Sequence, residues 1–224
     1  MTSNGYYISL GCSCIVADAL RNIGQRLEAL PFDWLLDHRL ENIADYIKKG
    51  FPVFGAIKEM KFMGYTKHKV NVQTPKGIGL TIAPIYDNKK KTRFFHDFPR
   101  RFKNENDPVY KNFKDKYTRR FKRLNELFAS GKRLILVRYQ INPALLSKDK
   151  VIQLVKTIKS KLTNGTTMIL ILLLVKPSQE SKAWLIGLKK HGVELVALPD
   201  KMKYSENKAM ATKWKKLLKI ENFK

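Results

Sequence analysis

The chain is short of several things. It has only two cysteines in 224 residues, and they stand one residue apart as Cys12 and Cys14. That excludes a disulfide framework and makes a reducing, cytoplasmic setting the expectation. Long apolar runs are missing too. The longest, Met168 to Val175, falls far below the roughly 20 residues of a membrane span, so no transmembrane segment is expected. The opening Tyr-Tyr-Ile-Ser-Leu is too short for a signal peptide and runs straight into polar turn residues. Acidic residues are scarce: 19 Asp and Glu against 44 Lys and Arg, a formal net charge of +25.

Such an excess attracts polyanions, so nucleic acid or an acidic partner enters as one candidate. Lysine is spread over almost every segment, however, and the chain carries no zinc-finger spacing, RNA-recognition aromatic signature or zipper heptad. The charge alone supports that reading. Hydrophobic residues at 44% and aromatics at 11% argue for a folded core rather than disorder.

The informative stretch runs from Tyr6 to Trp34. Tyr6 to Leu10 reads as a strand and Gly11-Cys12-Ser13-Cys14 as a tight turn. A helix follows, with Ile15, Val16, Ala19, Leu20 and Ile23 at helical spacing. Ser13 is a plausible N-cap, which puts Cys14 in the first turn. A thiol there faces unpaired N–H groups and the positive end of the helix dipole, and both favour thiolate. The competing reading makes both cysteines small apolar residues at a junction, where free cysteines are often inert. The turn lacks the dinucleotide glycine pattern and the phosphate-loop lysine, so no nucleotide cofactor is expected, and no metal.

The Ser9-Leu10-Gly11-Cys12-Ser13-Cys14 run, with Arg26 and Pro31-Phe32-Asp33-Trp34, resembles the opening of a family of papain-like cysteine peptidases. The likeness continues at Phe95-His96-Asp97-Phe98, at Lys116 to Arg120, and through Leu136-Val137-Arg138. It implies a cysteine-dependent site with Cys14 as nucleophile and His96 as general base, acting on a peptide or another acyl or ester substrate. For the residue that orients the imidazole, Asp97 and Asp33 lead because they lie in family motifs; Gln140 and Asn142 are further candidates. Neighbouring residues of an extended strand point to opposite faces, so Asp97 is not automatically the partner of His96. Asp33, between two aromatics, caps a following helix, holds Arg21 or Arg26, or orients a catalytic group. His38 sits in a polar stretch and reads as solvated, while His68 and His191 read as solvent-facing or structural.

Further along, Leu40 to Lys48 reads as a helix ended by Gly50. Val70 to Thr74 and Ile78 to Ile85 form the arms of a β-hairpin around Pro75-Lys76-Gly77. Asp107-Pro108 opens a helix whose inner face carries Tyr110, Phe113, Tyr117, Phe121, Leu124 and Phe128. Its outer face is cationic, and Arg119 and Arg120 there are within reach of an anionic ligand. The last third alternates: strand near Leu134 to Val137, helix Lys148 to Leu162, strand Met168 to Val175, helix Gln179 to Lys190, strand Val193 to Leu198, helix Asn207 to Ile220. Alternation of this kind predicts a parallel sheet covered by helices. The expected fold is a single α/β domain over 1–224 with an open, mostly parallel sheet, and 50–100 as an inserted β-rich subdomain. The family likeness implies the alternative, a papain-like α+β arrangement with an antiparallel barrel half.

Overall fold

The computed structural model describes residues 5–74, 77–201 and 208–218. In chain order the elements are β1 (Tyr6–Ser9), α1 (Ile15–Asn22), β2 (Leu35–Leu36), α2 (Leu40–Lys49), α3 (Phe51–Phe54), β3 (Lys61–Tyr65), β4 (Val70–Thr74), β5 (Gly77–Thr81), β6 (Pro84–Asp87) and β7 (Arg93–Phe94). There follow α4 (Pro108–Phe128), β8 (Arg133–Gln140), α5 (Lys148–Lys159), β9 (Thr167–Val175), α6 (Gln179–Ile186), β10 (Val193–Leu198) and α7 (Lys208–Leu217).

The fold is α/β. Its main sheet has the order β1-β8-β9-β10, and every neighbouring pair is parallel. Strands buried on both faces read as continuous apolar runs, which is why Met168 to Val175 stood out. Their alternation divides the core in two. Tyr7, Ile135, Val137, Ile171 and Leu173 pack under α1 and Trp214 of α7. Ile8, Leu134, Leu136, Leu170 and Leu172 face the other way, toward α4, α5 and the aromatic cluster of Phe54, Phe94 and Phe113. Each such side chain, fully buried, contributes about 1.5–3 kcal/mol. The antiparallel barrel half of a papain-like arrangement does not occur among the described residues.

The antiparallel strands between Lys61 and Phe94 form two groups. β3, β6 and β7 join the short β2 in a sheet of order β2-β7-β6-β3, while β4 and β5 pair only with each other. The second hairpin arm does not run from Ile78 to Ile85 as expected: it stops at Thr81, and Ile85 belongs to β6. Pro84 has no N–H to extend a ladder, and the Ala83 N–H donates to Thr66 Oγ1 at 3.0 Å. Pro75 and Lys76 of the expected turn lie outside the described residues, as do Asn207 and Ile220 at the ends of the last expected helix.

Helix ends follow their cap chemistry. Asp107 accepts from Val109 N–H at 2.9 Å and opens α4, and the Ser147 side chain caps α5. Gly50, at φ +71°, takes its N–H to Tyr46 O and closes α2. The helix expected over Gln179 to Lys190 ends at Ile186 and tightens into a 3₁₀ turn at Lys189–His191 before left-handed Gly192.

Candidate active site

The turn after β1 is held from three sides. Gly11 adopts φ +74°, and a Cβ there would meet the Phe32 carbonyl oxygen at 3.0 Å, so glycine is required. Its N–H donates to Ser9 Oγ at 3.2 Å. Cys12 follows at φ +79°, a left-handed conformation that costs a residue with a Cβ about 1 kcal/mol or more. Beneath the turn lies Arg138, fully buried on β8. It donates to Leu10 O at 2.8 Å, to Asp37 O at 2.6 Å, and to Gln140 Oε1 at 3.0 and 3.1 Å.

The two cysteines are thiols of different character. Cys12 is sealed in the core, whereas Cys14 is partly exposed. Cys12 Sγ lies 3.2 Å from His38 Nδ1. Burial pushes the Cys12 thiol up, against the pull of Arg138. Burial, reinforced by Arg138, pushes the His38 imidazole down. The pair is therefore a neutral thiol–imidazole hydrogen bond, and His38 is not the solvated residue its polar neighbours suggested. Cys14 precedes α1 in helical backbone, and its carbonyl accepts from Asp18 N–H at 2.9 Å. The expected N-cap is corrected by one residue: Cys14, not Ser13, caps α1 and has no side-chain cap bond, while Ser13 Oγ makes only a local 3.4 Å contact with Ile15 N–H.

Cys14 and His96 line one cavity of about 920 Å³. Trp34, Asn71, Asp97 and Arg120 complete the walls that matter here. His96 comes from the bend after β7 and stands edge-on to Trp34, with ring centroids 6.1 Å apart. Its Nδ1 lies 3.1 Å from the main-chain carbonyl oxygen of Asn71 on β4. A carbonyl only accepts, so Nδ1 carries the proton and Nε2 is left as the basic nitrogen.

The acids expected to orient the imidazole are engaged elsewhere. Asp97 is buried; its Oδ1 accepts from Tyr117 OH at 3.1 Å and pairs with Lys116 Nζ at 2.6 Å. Burial holds the Tyr117 phenol well above its usual range, so it stays a donor. Asp33, also buried, accepts from Arg26 Nε and Leu30 N–H, both at 2.9 Å. Burial raises its carboxyl against the pull of Arg26. Of the three roles open to it, Asp33 holds Arg26; β2, not a helix, follows it. The Arg26 guanidinium then lies over Trp34, 5.2 Å from the ring centroid. Gln140 is occupied by Arg138 and by the carbonyls of His38 and Asn142, and the Asn142 side chain accepts from Ala144 N–H.

Sequence reasoning missed three contributors. The Asn71 contact is made by the main chain, which any residue supplies, so no side-chain signal announces it. Arg138 reads as one more cation on a strand until the depth of its burial is seen. In the sequence Trp34 stands only as part of a motif, yet it forms the wall between His96 and two arginines, Arg26 and, at 5.7 Å, Arg21.

An uncharacterized protein of Acanthamoeba polyphaga mimivirus is 37% identical over 221 residues, covering 97% of this chain and 99% of that protein. No solved structure matches the chain. The family model described as "Putative papain-like cysteine peptidase" matches residues 5–176, the portion that contains Cys14, His96 and the cavity between them, and the chain belongs to that family.

Proposed function

We propose that the protein is a cysteine-dependent hydrolase or acyltransferase acting on peptide or related acyl substrates, with Cys14 as nucleophile and His96 as general base. One observation carries this reading: Cys14 and His96 open onto the same cavity, and the Asn71 carbonyl leaves the imidazole with Nε2 as its basic nitrogen. His96 takes the thiol proton, and the sulfur attacks the substrate carbonyl carbon. The leaving amine or alcohol departs with that proton, leaving a thioester on Cys14. Water, or an acceptor hydroxyl or amine, then attacks the thioester while His96 accepts its proton; the carbon–sulfur bond breaks and the departing Cys14 sulfur takes that proton back from His96. Main-chain N–H groups at the start of α1 are the candidates for holding the oxyanion. Asp97 and Asp33 serve as positioning residues, through Lys116 and Tyr117 and through Arg26 and Trp34 respectively.

In this reading residues 1–224 form one domain, and the 50–100 insertion brings the Asn71 carbonyl and His96 over the cysteine. A nucleophilic thiol suits a reducing, cytoplasmic setting, and no helix of the described residues is long and apolar enough to cross a membrane. The test is alkylation of the native protein with iodoacetamide, followed by peptide mapping. Rapid labelling at Cys14 near neutral pH, slowed in His96→Ala, supports the reading; labelling no faster than an ordinary thiol overturns it. Binding to arbitrary nucleic acid that survives moderate salt would instead favour a non-catalytic binder, working through the +25 surface.

A further inference from the structure

The Cys14 cavity carries more positive charge than its chemistry needs. Four cationic side chains line it, Arg21, Arg26, Lys116 and Arg120, against the carboxylates of Asp18 and Asp97. Three of the four are satisfied within the protein: Arg21 by Asp18 at 2.5 Å, Arg26 by Asp33 at 2.9 Å, and Lys116 by Asp97 at 2.6 Å. Arg120 differs. Its guanidinium sits over the Tyr117 ring, 5.0 Å from the centroid, and its Nη1 is buried without a hydrogen-bond partner among the described residues. A buried charged donor left in that state is strongly disfavoured unless something else fills its valence. Asp97 Oδ2 is the complementary orphan, a buried acceptor with no donor. Asp33, whose charge reaches Arg120, is held by Arg26, and Asp97 by Lys116, so neither carboxylate accepts from Arg120 Nη1.

We infer that this cavity is a subsite for an acidic acyl substrate, with Arg120 Nη1 receiving a carboxylate of the substrate and Asp97 Oδ2 accepting from a neighbouring N–H. An acidic residue within a peptide presents both groups a few bonds apart. The guanidinium fork matches a carboxylate and is always charged. The inference rests on Cys14 being the reactive thiol of the cavity, and it names the class of substrate that thiol meets.

The test compares Cys14 alkylation by iodoacetate and by iodoacetamide, two reagents of similar size that differ in charge. Wild-type protein is expected to favour iodoacetate beyond the ratio shown by glutathione. Arg120→Gln lowers that ratio roughly tenfold, Arg120→Lys retains part of it, and Lys190→Gln, in the 3₁₀ turn before the edge strand β10, leaves it unchanged. N-acetylaspartate N-methylamide should protect Cys14 in the wild type but not in Arg120→Gln, and the asparagine analogue should protect neither. If Cys14 is labelled rapidly but the ratio ignores Arg120, the acidic-substrate inference fails and the nucleophile stands. If Cys14 is labelled by neither reagent, the nucleophile assignment fails. Equilibrium titration with the aspartate ligand then decides the subsite on its own: equal affinity in wild type and Arg120→Gln overturns it.

Discussion

His96 Nδ1 and the Asn71 carbonyl oxygen stand 3.1 Å apart, across a contact between the bend after β7 and the first strand of the β4–β5 ribbon. A main-chain atom thus occupies the place where a carboxylate or amide side chain might be sought.

That contact makes a discriminating prediction. Asn71→Ala keeps the carbonyl and should leave kcat/KM for an acyl substrate essentially unchanged. His96→Ala should lower it by roughly 10²–10⁴-fold. Val72, buried on the same strand, offers an intermediate case: Val72→Ala loosens the ribbon and should shift the alkaline and acid limbs of the kcat profile more than it changes KM. Steady-state kinetics across pH checks all three.

The two thiols should separate cleanly. Cys14→Ala removes the proposed nucleophile and is expected to lower turnover by at least about a thousandfold. Cys12→Ser keeps a donor and acceptor beside His38 and should stay active with modest loss of stability. Equal loss in both variants would contradict the assignment of Cys14. Activity assays alongside circular dichroism make the distinction.

Arg138 should be the most costly of these positions for stability. Arg138→Met strands the carbonyls of Leu10 and Asp37 and the Gln140 side chain inside the protein. A loss of about 1–3 kcal/mol for each acceptor left unpaired is expected, read as a lower urea midpoint. The turn that carries Cys14 hangs from Leu10, so alkylation of Cys14 should slow in whatever fraction remains folded.

The Cys12–His38 pair sets a pH window. His38 is held below its ordinary value of 6.5, so below that pH the unfolded chain binds the extra proton and stability falls. Cys12 is held above its ordinary value of 9.0, so above that pH the unfolded chain loses a proton the fold retains, and stability falls again. Stability from this pair is full between the two and declines on either side. Urea denaturation at pH 5.5, 7.5 and 9.5 should trace a dome for the wild type and a flatter curve for Cys12→Ala, His38→Phe.

Much of this architecture was legible beforehand because burial leaves a periodic trace. The parallel strands β8, β9 and β10 announced themselves through apolar runs, and α4 through Asp107-Pro108 and its row of aromatics. Contacts that depend on depth or on the main chain left none. Asp97 leads with Asp33 as a candidate to orient His96, yet it pairs with Tyr117 and Lys116 although it lines the same cavity as the imidazole. His38 lay among polar residues and was read as wet, because nothing in its vicinity shows that β1 ends beside it. The hairpin arm was drawn too long because apolar character continues through Ile82 and Ala83, although the hydrogen bonding changes direction there.

The ribbon formed by β4 and β5 belongs to no larger sheet, and an isolated pair of strands has little stability of its own. Its resting place, with Val72 underneath, decides whether the imidazole is told which nitrogen to keep protonated. Tautomer and docking are therefore one equilibrium: a ligand that lifts the ribbon would erase the instruction, and one that presses it down would enforce it. If Cys14 and His96 act as proposed, a molecule bound to the outer face of the ribbon would set their chemistry without touching the sulfur.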